Sequence, residues 1–172
     1  MVQSLVDIFQ NTKDVLCKYD YYIYTPKRIL HLTNSELKIP HLMGLQYIGK
    51  PNQFTGDYGV YSIKKKRITH ESIEKLVRKY YRTEEKQRLI LEMIYRKLNE
   101  RKNVILHLGL IKSKDRKDVF HCNSFMATYQ KDREKEMFFC NLSKRYEINK
   151  IVREDKLTNE KKVLYMSAQT EQ

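Results

Sequence analysis

The sequence predicts an α+β domain in which N-terminal helices pack on one face of a mainly antiparallel C-terminal sheet of about four to five strands. Apolar residues recur at helical spacing through much of the first half, and from Asn103 onward the period switches to two. Order adds a third observation. Helices come first and strands follow in a run, which suits a helical layer on one sheet face and leaves the other face open.

The elements follow in turn. Leu5, Val6, Ile8, Phe9, Val15 and Leu16 mark an amphipathic helix from about Val2 to Lys18. Tyr21 to Thr25 is aromatic and β-branched, Pro26 interrupts, and Arg28 to Thr33 alternates again, as a hairpin or a pair of edge strands would. Asn34 and Ser35 are cap types for a turn of helix carrying Pro40-His41. Pro51, Asn52, Gly56 and Asp57, lying between Gly49 and Gly59, read as loop. Thr69 caps a helix striped with Ile73, Leu76, Val77 and Tyr80, and Thr83 caps one striped with Ile90, Leu91, Ile94 and Leu98. Val104, Leu106, Leu108 and Leu110 then alternate with Ile105, His107 and Gly109. Val119–Tyr129, Glu136–Leu142, Arg145–Val152 and Lys162–Ala168 are the further strand-like runs. A single domain over 1–172 accounts for them, with a helical half to about 102 and a sheet half from about 103 to 168.

Composition restricts the chemistry. With 34 Lys+Arg against 21 Asp+Glu, the formal charge is +13, spread along the chain, and a polyanion is the natural partner. Thirteen tyrosines add rings able to stack on unpaired bases. Only five glycines are present and no phosphate-cradling glycine motif, which excludes the usual nucleotide hydrolases. No HExxH or clustered cysteines give zinc spacing, so no metal or cofactor is expected, and no GxSxG elbow marks a serine hydrolase. Cys17, Cys122 and Cys140 are odd in number and form no CxxC, which fits a reducing cytoplasm. No run of about 18 apolar residues suggests a membrane span, and the first residues lack the pattern of a secretory signal.

A basic protein without a metal site is still able to cut RNA, because the substrate carries its own nucleophile in the 2′-hydroxyl. Transesterification asks for a base, an acid and a cation at the phosphorane. Leu37 to Leu45, with Pro-His-Leu-Met-Gly-Leu as its core, resembles the His-Leu-x-Gly-Leu signature of a phage-associated family of barnase, EndoU, colicin and RelE-like nucleases. The match is sharp over this segment, and the order of the remaining elements follows that superfamily's fold. The resemblance implies a metal-independent endoribonuclease-like domain, used as a toxin or in phage conflict, with RNA as substrate and a neutralising protein as partner. It makes His41 the signature histidine and Gly44 its glycine. Ser167 resembles the polar residue near the end of the last strand, although Ser167-Ala168 lacks the aromatic expected beside it.

Beside the resemblance, strand parity places Tyr165 and Ser167 on one side, where a phenol and a hydroxyl would hold a phosphate opposite His41. His121 shares a mixed polar and aromatic face with Asn123, Phe125 and Tyr129, and is the other catalytic candidate. Lys64, Lys65, Lys66, Arg67, Lys112 and Tyr129 are candidates for binding the backbone or bases. His107 reads as a packing residue, and His31 and His70 as surface or cap positions. Two other classes remain open: a non-catalytic nucleic-acid-binding module or phage regulator, and a protein-binding inhibitor or effector.

Overall fold

The computed structural model describes residues 4–50, 52–98, 104–129 and 147–168. Its chain order is α1 (Leu5–Leu16), β1 (Tyr19–Tyr24), β2 (Ile29–Leu32), α2 (Ile39–Leu42), α3 (Gly56–Lys64), α4 (His70–Tyr80), α5 (Glu84–Leu98), β3 (Val104–Lys112), β4 (Val119–Tyr129), β5 (Lys150–Asp155) and β6 (Lys161–Met166), with 3-10 turns at Glu36–Lys38 and Leu45–Tyr47. The class is α+β as the sequence predicts. Among the described residues the sheet has six strands, in the order β3-β4-β2-β1-β5-β6. It is mainly antiparallel, the exception being the parallel pairing of His31 and Leu32 with Val119 and Phe120.

Local chemistry sets most boundaries. The Ser4 hydroxyl accepts from the Asp7 N–H, so α1 opens at Leu5 rather than Val2. Thr69 and Ser72 form a reciprocal capping box on α4. Thr83 precedes α5, its Oγ1 3.4 Å from the Lys86 nitrogen. Ile73, Val77 and Ile94 are buried as their stripes require.

Three expectations change. β1 and β2 pair as the expected hairpin, but it is central and not at the sheet edge, because β5 and β4 flank it. The segment read as loop through Gly59 holds α3, a helix in which Gly59 is needed for contact: a Cβ there would lie 2.5 Å from the Phe54 carbonyl oxygen and 2.8 Å from Pro40 Cβ. Asn34 and Ser35 provide no side-chain cap to the turn after them. Instead the buried Asn34 Oδ1 accepts from the Cys122 N–H at 2.7 Å, continuing the parallel ladder where β2 ends. The strand expected at Glu136–Leu142 and the start of the one at Arg145–Val152 lie outside the described residues, as does Cys140.

Two apolar clusters separate the layers. Leu5, Phe9, Ile39, Met43, Ile63, Ile73, Val77 and Ile94 belong to a core among the helices. Leu32, Leu42 and Cys122, with Leu16, Tyr21, Leu110 and Phe120 against them, bind helices to sheet. Alternation then sends Asp20, Tyr22, His31 and His121 to the opposite face.

Candidate functional site

On that face β1 and β2 bring together residues no sequence spacing announces. Tyr22 and His31 are register partners, and their rings stack at 4.7 Å and 12°. His31 Nε2 lies 2.9 Å from Asp20 Oδ2, and both side chains are about one-fifth exposed. Lys156, from the turn after β5, sets its Nζ 3.3 Å from Asp20 Oδ1 and donates to the Asn34 carbonyl at 3.1 Å. Asp20 Oδ1 and His31 Nε2 are fully buried as atoms and lack aligned hydrogen bonds. Asp20 therefore forms an ion pair with Lys156 and sits in close contact with the His31 imidazole.

His121 enters from the neighbouring strand. Val119 pairs with His31, so His121, two residues on, is its diagonal neighbour on the same face; two residue rises and one strand spacing put the Cα atoms about 8 Å apart. Its Nδ1 lies 2.8 Å from the Thr33 carbonyl oxygen. A carbonyl only accepts, so Nδ1 is the donor in this contact, and in the neutral form of the ring the lone pair is on Nε2.

The electrostatics are polarised. Burial pushes the Asp20 carboxyl up, but the Thr33 hydroxyl, the His31 imidazole and the Lys156 ammonium pull it down further, leaving it below the ordinary carboxylate value. Burial, then the hydrogen bond and charge of Glu154, push the Tyr22 phenol up to about 12. Tyr22 is therefore a neutral stacking ring at physiological pH. Lys161, 3.5 Å from Glu154 and 5.8 Å from the Tyr22 ring, adds a further cation.

The sequence candidates are dispersed. His41 is half-buried on α2 between the buried Pro40 and Leu42, in the helical layer. Leu42 packs beneath the sheet against Leu32 and Cys122, which sets α2 across the sheet from His121. Gly44 takes φ 87°, and its N–H bonds the His41 carbonyl, which accounts for glycine in a left-handed turn. Tyr165 is exposed on β6, the outermost described strand on that side. Four strand spacings, roughly 19 Å, separate it from β4. Ser167 follows it and donates its N–H to the Asn149 carbonyl. The structure thus brings neither to His41 or His121. Lys112 is exposed at the end of β3. Tyr129 ends β4, with its side chain outside the described residues, as is that of His107. The register shifts between Gly109 and Leu110, where β3 pairs with β4 next to Asn123, and the side chain of Phe125 lies outside the described residues too. Lys64 to Arg67 close α3 within the helical layer: Lys64 pairs with Glu36, whereas Lys65 and Lys66 are exposed.

His31, Asp20 and Lys156 are what sequence reading missed. The one available signal was strand parity, which puts Asp20, Tyr22 and Tyr24 on one face. Among the described residues, no group of three or more His, Cys, Asp or Glu is placed to hold a metal ion, and no helix is long and apolar enough to cross a membrane.

A family model described as phage-Barnase-EndoU-ColicinE5/D-RelE like nuclease4 matches residues 4–94, from α1 into α5, and so contains the Pro40–Leu45 segment, Asp20 and His31. No curated protein and no solved structure matches the chain.

Proposed function

The chain belongs to the phage-Barnase-EndoU-ColicinE5/D-RelE like nuclease4 family, and from that premise we propose that it is an endoribonuclease working from the open face of its sheet. One observation carries the proposal: two imidazoles on neighbouring strands, His31 and His121, share that face with the ammonium of Lys156. The RNA 2′-hydroxyl attacks the adjacent phosphorus and the 5′ oxygen leaves, giving a 2′,3′-cyclic phosphate and a 5′-hydroxyl end. His121 Nε2 takes the nucleophile's proton. His31, seated against Asp20, is the acid of the step: in its protonated form it gives a proton to the leaving oxygen. Lys156 stabilises the charge growing on the phosphorane. Tyr22 fixes the His31 ring and offers the bound nucleotide an aromatic neighbour.

Each proton transfer contributes typically 10²–10⁴-fold, so His31→Ala and His121→Ala should each lower cleavage by at least about 100-fold in the presence of a chelator. An oligonucleotide with a 2′-deoxy sugar at the scissile position should stay intact. If both variants cut RNA as the wild type does while His41→Ala is dead, the chemistry sits in the helical layer and the open-face site is wrong.

A further inference from the structure

A second surface lies in the helical layer, apart from the open face. Tyr58 and Tyr61 sit three residues apart on α3, 47% and 42% exposed. Beneath them Phe54 is buried, with its ring 6.0 Å from Tyr58, and Tyr58 is 6.4 Å from Tyr61. The Arg67 guanidinium lies 4.8 Å from the centre of the Tyr61 ring and extends the series by one plane. The turn that makes this contact is strained. Lys66 takes φ 53°, and the Lys66 and Arg67 N–H groups bond back to the Ile63 and Ser62 carbonyls, folding Arg67 over the helix it has just left.

Charge surrounds the rings. Lys65 and Lys66 are exposed beside Arg67, while Lys64 turns away to Glu36 and to the Phe9 ring. Asp57, in the first turn, is the opposing carboxylate. A row of exposed aromatic planes flanked by cations suits a strand whose bases are free to stack and whose phosphates run alongside. Duplex RNA hides its base faces and has no use for the rings.

We propose that Tyr58, Tyr61 and Arg67 form a stacking track for single-stranded RNA, remote from the cleavage site, that holds a flanking stretch of the substrate through its bases. The proposal relies on the nuclease assignment only for taking RNA as the ligand. Its test is binding of the full chain to a single-stranded 2′-O-methyl RNA, which cannot be cleaved through its 2′ oxygen, followed by fluorescence anisotropy. Tyr58→Leu/Tyr61→Leu keeps the bulk and removes the planes, and should raise Kd by about 30-fold, at roughly 1 kcal/mol per base. Tyr58→Phe/Tyr61→Phe should bind within about twofold of wild type, which separates stacking from a folding defect. Lys65→Gln/Lys66→Gln should reduce the salt slope by about 1.4, the value for two lost contacts to a single strand. Cleavage of a dinucleotide, too short to reach the track, should be unchanged in all three. Wild-type affinity in the leucine pair overturns the track, as does an equal loss on duplex RNA or a changed oligomeric state with RNA binding intact. A chain that cuts nothing yet shows the ring-dependent affinity would overturn the nuclease assignment and leave the track standing.

Discussion

Asp20 gathers the charged groups on the sheet face opposite the helices, with His31 and Lys156 against its carboxyl. Its carboxyl lies below the usual carboxylate value, so the ionised form is favoured by folding. That contribution is present above the ordinary carboxylate pKa and is lost as pH falls through the depressed one. Asp20→Asn should therefore flatten the fall in stability that the wild type shows below about pH 4, read by thermal melts across pH. The same variant removes the carboxylate beside the His31 ring and, on the proposed mechanism, should cost cleavage about 100-fold or more, with little change in KM. Ser62 makes the opposite point, since its hydroxyl is fully buried without a hydrogen-bond partner among the described residues. Ser62→Ala should stabilise by up to about 1 kcal/mol, a rise of roughly 2–4 °C in Tm. Neither residue was legible in the sequence. Asp20 and His31 are eleven positions apart, and only the hairpin register of β1 and β2 makes them neighbours. His41 was legible as a motif, and its local motif did not reveal which side of the sheet it would occupy.

Elements whose boundaries are set by local chemistry were read well. β4 was anticipated over its full length, and Thr69 opens α4 through its own side chain. α3 was missed because its glycines and Asp57 carry turn signals, while the reason for a helix there is tertiary. At Gly59 two effects compete. Helix propensity favours alanine by about 1 kcal/mol, whereas a methyl group would meet a backbone carbonyl oxygen at 2.5 Å that has little room to yield. Overpacking of this kind costs typically 1–3 kcal/mol, so Gly59→Ala should lower Tm in spite of its propensity. A rise in Tm would mean that α2 and α3 part easily. The central position of β1 and β2 was equally hidden, because a parallel partner supplied by β4 leaves no periodic trace in either strand.

For the whole molecule, charge and class were legible and the assembly of the site was not. The +13 charge belongs to the entire surface, so long RNA should feel it and a dinucleotide should hardly do so. Raising salt from about 50 to 200 mM should raise KM for a long RNA steeply and leave that for a dinucleotide almost unchanged. Equal salt slopes would confine recognition to the cleavage site. The segment matched by the family model ends in α5, and His121 and Lys156 lie beyond it. The proposed chemistry is thus split between the matched segment and the strands that follow.

The parallel seam between β2 and β4 also bears on when the proposed site is complete. His31 leaves the ribosome early, but His121 on β4 and Lys156 in the turn after β5 are synthesised long after it. Pairing across so long a stretch of chain is slow to close. A nascent chain that has reached only α5 would hold the helical layer and half of the proposed chemistry, so translation itself would postpone activity until the last strands emerge and dock.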